Sequence, residues 1–446
     1  MAVGDVTEVP PELATDPTAA DVADLDVPPA LVAQSLGQYI RALVARVRNG
    51  DSGILPVVAG LIVITIVFEA ISPNNVFLSA GNIVNLFQQS AVFMVLAMAE
   101  GFALLLGEID LSIGYVGPLG GVIAVQLVQP RTTHWPWWSA IVAGLLACAL
   151  IGFIQGSVIT RLRAPSFIVT LAGLLIWNGV VLIVLLLGPF SGEPSLAGTD
   201  PNVQVLYNLM NGNLDPTMSW IVMVAAVALL GGTLWLRDWR RRRSGLVAPP
   251  VSLTYIKIAF LAVVGIAIVA ICNVNRAHFG VVAGVPWVIL IVFGVLAAWT
   301  VLLERTRFGR YVYAVGGNPE AARRAGVSLA SVRTWAFVLC SFTAGIGGLL
   351  YVSYLGGATN NINGGQLVLY AVAAAVIGGT SLFGGRGRVM HGVLGGLVIG
   401  GIYNGMYLLG LTVQWQFIVT GLVLVAAVAI DSLSRRAASS GSGARV

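Results

Sequence analysis

Twelve apolar runs, most of them near the roughly twenty residues a helix needs to cross a bilayer, constrain this chain more than any other feature. They lie near 54–72, 86–107, 111–129, 137–160, 167–188, 218–236, 252–272, 285–303, 334–356, 368–384, 389–410 and 415–431. Each is continuous and rich in Leu, Val, Ile, Ala and Gly, whereas a bilayer-spanning barrel alternates polar and apolar residues in segments of about ten. With 57% hydrophobic and 10% charged residues, the chain is poorly suited to a soluble fold. The expected class is all-α: a polytopic membrane protein of about twelve transmembrane helices, some broken at Gly-rich elbows.

The 24 Lys and Arg then fix an orientation. With the amino terminus inside, all of them fall on the cytoplasmic side except Arg131 and Arg276, and both termini are cytoplasmic. The formal charge of +5 is thereby a matter of topology and calls for no nucleic acid. The run Arg240 to Arg243 reads as an anchor against anionic membrane lipid. The first thirty residues hold seven acids, several prolines and no base, and lack an apolar signal-peptide core. Residues 1–50 are expected to be a disordered acidic cytoplasmic tail with a short basic pre-membrane segment. Residues 51–436 form the membrane domain, 304–333 a cytoplasmic loop within it, and 437–446 a disordered carboxy-terminal tail.

Enzyme chemistry finds little support. Lys257 is the only lysine and follows Ile256, so no phosphate-binding loop ending in Gly-Lys exists. His134, His278 and His391 have no metal-ligand spacing, and His134 and His278 read as solvated imidazoles in outer loops. Cys148, Cys272 and Cys340 are odd in number and sit in or beside apolar helices, which suits buried free thiols. No catalytic residue, metal site or bound cofactor is expected on this chain.

One stretch breaks the apolar pattern. "YAVGGNPEAARRAGVSLASVR" (313–333) packs charge between two apolar segments. Asn318 can cap a helix, Pro319 suits its first turn, and Glu320 faces the positive end of its dipole. Gly326 is placed to end it after about two turns, Ser328 or Ser331 can cap the next crossing, and Gly316 and Gly317 permit a sharp entry. A helix so short is marginal in water and must rest on something. The two supports are the membrane surface, with Arg323 and Arg324 on lipid phosphates, and a groove on a cytoplasmic partner.

"GGNPEAARRAGV" resembles the cytoplasmic coupling segment of ABC importer permeases, where Glu-Ala-Ala and a following Gly mark the helix that sits on the ATPase. Those positions are Glu320, Ala321, Ala322 and Gly326, with Arg323 offering a further polar contact. "GEIDLSIG" (107–114), "PSFIVTLAG" (165–173), "AVIGGTSLFGGRG" (375–387), "YNGMYLLG" (403–410) and "QFIVTGLVLVAAV" (416–428) extend the likeness over about residues 50 to 436. Together they resemble the ribose/xylose class of monosaccharide importer permeases, closest to its xylose branch. The resemblance implies an ABC importer permease fold in a bacterial inner membrane and a permease dimer, with a second copy of this chain favoured. It also implies a partner ATPase with two nucleotide-binding modules holding ATP and Mg, and an extracytoplasmic sugar-binding protein. Glu100 and the acidic tail depart from the family pattern.

In "GEIDLSIG" Asp110 or Ser112 can cap the rising helix, while Glu108 and Asp110 are also candidates for gating or ATPase contact. "GGTSLFGGRGRV" (378–389) makes a second cytoplasmic elbow, with Gly378, Gly379, Ser381, Gly384 and Gly385 as its candidate residues; aligning Gly107 with Gly378 hints at an internal repeat. Gln155, Asn178, Asn404 and Gln416 are polar side chains on apolar helices, fit either to line a sugar pathway or to bond helix to helix. The loops near 189–217, 273–284 and 357–367 offer surfaces to a binding protein, and Trp135, Trp137 and Trp138 an interfacial belt. The rival reading is a self-sufficient secondary transporter coupling protons through Glu69, Glu100, Glu108 and Asp110.

Overall fold

A computed structural model describes residues 37–41 and 54–422 apart from 132, 187–191, 247, 278, 279 and 413, together with positions 425 and 429. Most of the expected acidic tail, the carboxy-terminal tail, His278 and much of the twelfth apolar run lie outside the described residues. Fourteen bounded helices follow one another: α1 (Leu55–Ile71), α2 (Ala80–Leu105), α3 (Ile113–Val128), α4 (Trp137–Leu162), α5 (Ser166–Leu186), α6 (Pro201–Asn211), α7 (Pro216–Arg243), α8 (Val251–Cys272), α9 (Trp287–Arg305), α10 (Arg307–Gly317), α11 (Pro319–Arg324), α12 (Leu329–Leu355), α13 (Gly364–Ile377) and α14 (Val389–Leu408). Residues 414–422 are helical as well, and among the described residues there is no β-strand.

The expected crossings map onto α1–α5, α7–α9 and α12–α14, with 414–422 opening the twelfth. Among the described residues, eight helices are long and apolar enough to span a membrane, while α1, α3 and α13 are shorter. The shortness of α3 and α13 has a cause. Each adjoins an irregular elbow, and such backbone survives at membrane depth only where protein satisfies it. The tenth run was expected to reach 384; its helix instead ends at Ile377, because Gly379, Gly384, Gly385 and Gly387 all take positive φ.

Residues 221–267, most of the α7–α8 hairpin, form a compact unit of their own. Inside it the Thr254 hydroxyl donates to Asp238 Oδ2 at 2.8 Å and Arg242 donates to the Pro249 carbonyl at 2.9 Å. Trp235 stacks on Trp239, and Arg243 lies 5.3 Å from the Trp239 ring centre. The basic end of α7 thus gathers stacked indoles and a cation–π contact beside its arginines.

The main unit, residues 54–220 and 268–422, is organised on α12. This helix packs against α2, α3 and α4, and α2 packs in turn against α13 and α14. Small residues set the spacing. A Cβ on Gly348 would overlap the Gly117 carbonyl, and one on Gly121 would stand 2.6 Å from the Gly348 oxygen. On α4, Gly144, Cys148, Gly152 and Gly156 recur every four residues and face α3 or α12. Lipid tails drive no hydrophobic association between helices, so such close backbone approach supplies the packing attraction instead.

Outside the long helices, α6 was not expected. Its start was written in the sequence as Asp200-Pro201: Asp200 accepts from the amides of Asn202 (2.9 Å) and Val203 (3.2 Å). His134, expected as a solvated imidazole, is exposed and also pairs with Asp200 at 2.8 Å. Desolvation raises the Asp200 carboxyl, but hydrogen bonds from His134, Val203 and Asn202 outweigh it and hold the group below the usual carboxylate range. Trp135, Trp137 and Trp138 are all exposed, as an interfacial belt would be.

Candidate functional site

The segment 318–328 folds as its residues dictate. Asn318 Oδ1 accepts from the Ala321 amide at 2.9 Å, Pro319 occupies the first turn, and Gly326 ends α11 with φ +81°. Val327 N–H returns to the Ala322 carbonyl and Gly326 N–H to Arg323, both at 3.0 Å, which closes the helix in a Schellman motif. Ser328, the nearer of the two expected caps, then accepts from Ser331 N–H to start α12. Glu320 ties back Arg323 (2.9 Å) and Arg324 (3.2 Å), one carboxylate for two guanidiniums, so the short helix presents an ordered surface that stays net positive. Ala322 faces inward and is buried, whereas Glu320, Ala321, Arg323 and Arg324 are exposed. Replacing Asn318 by alanine should cost about 1 kcal/mol of local stability. Amide hydrogen exchange at 319–327 should then run about five-fold faster, with α12 unchanged.

Gly316 and Gly317 were expected to be loop. They close α10 instead, a helix whose buried Gly309, Val312 and Val315 recur at helical spacing. The reason for Gly316 is proximity. A Cβ there would overlap the Leu105 carbonyl and stand 2.7 Å from the Gly385 amide. Gly385 N–H donates to that same carbonyl at 2.9 Å, and Tyr313 Oη donates to the Gly387 carbonyl at 2.9 Å. The elbow after α2 and the elbow after α13 also meet directly, since a Cβ on Gly384 would lie 2.8 Å from Gly107 N. Three segments far apart in sequence, near residues 107, 316 and 385, therefore form one knot.

The other end of α11 is tied to the same knot. Arg333, in the second turn of α12, sits 3.0 Å from Glu108 Oε1 on the first elbow. The approach is off the N–H direction, so the attraction is an ion pair rather than a hydrogen bond. Burial pushes the Glu108 carboxyl up, and Arg333 partly offsets that. An exposed two-turn helix is thus bracketed by anchors on the elbows that begin α3 and α14.

Residues 82–428 match the family model described as "Branched-chain amino acid transport system / permease component". The chain belongs to this permease family. Among curated relatives, it is similar to the xylose transport system permease protein of Escherichia coli, with 32% identity over 85% of this chain and 92% of the relative. The protein of the same name from Haemophilus influenzae is 32% identical over 84% and 95%. The ribose import permease protein of Escherichia coli is 29% identical over 83% and 91%. No solved structure gives a significant match.

In this permease the first elbow holds a buried acid pair. Glu100 and Asp110 are both fully buried, and Asp110 N–H donates to Glu100 Oε1 at 3.1 Å. Of the two expected caps, Asp110 and Ser112, Ser112 occupies the N-cap position of α3, but no side-chain capping hydrogen bond is made there. Asp110 Oδ1 accepts from the Ser112 amide (3.0 Å), and the Ser112 hydroxyl lies 2.6 Å from that oxygen and 2.9 Å from Gln155 Oε1. One hydroxyl proton serves only one of these at a time, and the amide of Gln155 turned over would donate to Ser112 and leave the proton for Asp110. Glu100, the residue outside the family pattern, therefore props the turn that carries Asp110. At the second elbow Gly378 is helical and Gly379 has φ +110°, whereas Gly107 has φ +75°, so the suggested Gly107/Gly378 repeat has no shared backbone conformation. Ser381 N–H donates to the Arg386 carbonyl at 2.9 Å, and Ser381 Oγ accepts from Phe383 N–H at 3.0 Å.

The four polar residues considered for a pathway do not converge. Gln155 belongs to the first elbow. Asn404 is fully buried between α14 and α2, exchanging hydrogen bonds with Asn82 (2.9 and 3.0 Å) and donating to Gln89 at 3.1 Å. Asn178 is half-buried on α5, and Gln416 is buried with a 3.5 Å contact to the Leu411 carbonyl. Helix-to-helix bonding, the alternative to pathway lining, fits Asn404 and Gln155.

A different place fits better and carried no local sequence signal: a cavity bounded by α2, α12, α13 and α14. Its lining comes from residues 89 to 403, four helices that only the fold brings together.

Proposed function

We propose that this permease is the membrane-spanning subunit of an ATP-driven monosaccharide importer, working as a dimer of this chain in a bacterial inner membrane with both termini cytoplasmic. A partner ATPase with two nucleotide-binding modules holds ATP and Mg and performs the hydrolysis. An extracytoplasmic binding protein delivers the sugar, a pentose such as xylose being favoured by the naming of two relatives at 32% identity. The observation that carries the reading is the bracketed helix α11. Its exposed Glu320, Ala321, Arg323 and Arg324 suit a groove on a partner, and its flanks lead through Gly316 and through Glu108–Arg333 into the elbows. A push on α11 would reach α2, α3, α13 and α14 together, which is what a change of access requires.

The test is co-purification and transport. Glu320→Arg and Ala321→Trp alter the exposed face and leave Ala322 in place. Each is expected to lower recovery of the ATPase with the tagged permease and to cut sugar uptake more than ten-fold, at unchanged membrane abundance. Normal uptake by either variant would rule α11 out as the docking element.

The secondary-transporter reading is weakened by the placement of its acids. Glu69 Oε2 accepts from the Leu78 amide at 2.8 Å near the start of α2. Glu100, Glu108 and Asp110 cluster at the far end of that helix, on the order of 30 Å away along 1.5 Å-per-residue steps. The four groups do not form one relay.

A further inference from the structure

Four tyrosines from three helices, Tyr351 and Tyr354 on α12, Tyr370 on α13 and Tyr403 on α14, surround a cavity of about 90 Å³ together with Gln89 of α2 and Gln366 of α13. One water needs about 10–15 Å³ on this measure, so the space is on the scale of a small polyol's heavy atoms. Among the described residues its lining carries no charged side chain. We propose that this cavity is where the permease receives its substrate, and that it takes an uncharged monosaccharide of pentose size. The inference rests on the importer reading above and adds the site and the chemistry that selects.

Three observations point the same way. The first is the pairing of rings with amides. Phe93 meets Tyr370 edge-on at 5.2 Å and Tyr403 at 6.0 Å, which stands those rings up as walls. A sugar offers C–H faces to such walls and hydroxyls to the amides between them. The second is that the polar groups satisfy one another when the cavity is empty. Gln366 Nε2 donates to Tyr370 Oη at 2.7 Å, and Gln89 Oε1 accepts from Asn404 Nδ2 at 3.1 Å. A sugar hydroxyl would replace one hydrogen bond by another, so each exchange gains little. Weak holding is what a transit site needs if cargo is to leave.

The third is position. Phe93 lies twelve residues, about 18 Å of helix, before the elbow that follows α2. Tyr351 and Tyr354 lie at the opposite end of α12 from Arg333. The cavity is therefore built on three of the helices that the coupling knot joins, halfway along α2 and toward the far ends of α13 and α14. Neutrality also separates two cargo classes. An amino acid brings an ammonium and a carboxylate, and burying either without an opposite charge is costly. A pentose brings neither.

The experiment uses the assembled transporter in proteoliposomes, with radiolabelled D-xylose and D-ribose as probes and L-leucine as the charged comparison. The variants are Tyr403→Phe, which removes one oxygen and keeps the wall, and Gln366→Leu, which removes the amide at similar volume. Uptake of at least one of the two sugars is expected to fall five-fold or more, while ATP hydrolysis stimulated by the sugar-loaded binding protein stays within two-fold of the unmodified transporter. L-Leucine is expected to be excluded throughout. Unchanged uptake in both variants overturns the cavity as the site and leaves the importer reading standing. Parallel loss of uptake and hydrolysis also overturns it, because the residues would then serve the fold or the coupling. Uptake of L-leucine in place of the sugars by the unmodified transporter removes the importer reading and this inference with it.

Discussion

A Gly316→Val variant is expected to lose sugar uptake by more than ten-fold and to unfold at lower temperature in detergent, whereas Gly317→Ala, one residue on, is expected to leave both nearly unchanged. The contrast rests on what each new Cβ would meet. At Gly316 it would overlap the Leu105 carbonyl and crowd Gly385 N, both backbone atoms of elbows that have no other place to go. At Gly317 nothing lies within 4 Å. Overpacking a tight contact costs typically about 1–3 kcal/mol, and more where the neighbour is backbone. The damage should also be specific. Forcing α10 off the knot separates α11 from the elbows, so a variant that still reaches the membrane should retain its partner ATPase and show hydrolysis uncoupled from uptake. Measuring both activities on one preparation decides it: full transport by Gly316→Val would show that the elbows do not need the contact.

The helices were legible because bilayer thickness imposes a length on each apolar run, and residue-by-residue hydrophobicity carries that length directly. Caps were legible for a related reason. Asn318, Gly326 and Ser328 act within three to five residues of themselves, so their meaning survives without the fold. What escaped depends on distance along the chain. Gly316 looked like a flexible entry because loop glycines and packing glycines are the same letter, and only the approach of Leu105 and Gly385 tells them apart. Helix α10 was hidden among its own charges, although Gly309, Val312 and Val315 mark a buried face. The tyrosine cavity had no local pattern at all, since its walls are contributed one or two residues at a time. The polar residues singled out on apolar helices were real features of buried surface. Two of them, Gln155 and Asn404, proved to be partners of other buried polar groups, the commoner fate of an amide inside a bundle.

Packing within the bundle yields the second large effect. Gly348→Leu is expected to prevent stable insertion, and Gly348→Ala to lower the detergent unfolding temperature by several degrees. Gly60→Ala, on α1, should be neutral or slightly stabilising. At Gly348 the Cβ would fall on the Gly117 carbonyl and within 2.6 Å of Pro118 N, so α12 and α3 would have to separate. Separation spreads, because α12 also meets α4 so closely that a Cβ on Gly152 would stand 2.5 Å from the Phe337 carbonyl oxygen. At Gly60 nothing lies within 4 Å, and alanine gains about 0.5–1 kcal/mol of helix propensity over glycine. Thermal unfolding followed by size-exclusion chromatography of the three variants would measure the ordering. Equal stability of Gly348→Ala and Gly60→Ala would mean that α12 is not the axis on which the bundle is built. It is that axis which gives α11 its leverage: a short helix fused to α12, which with α2 is the most enclosed of the described spans, moves the core when it moves, whereas the same helix fused to the largely exposed α5 would move only itself.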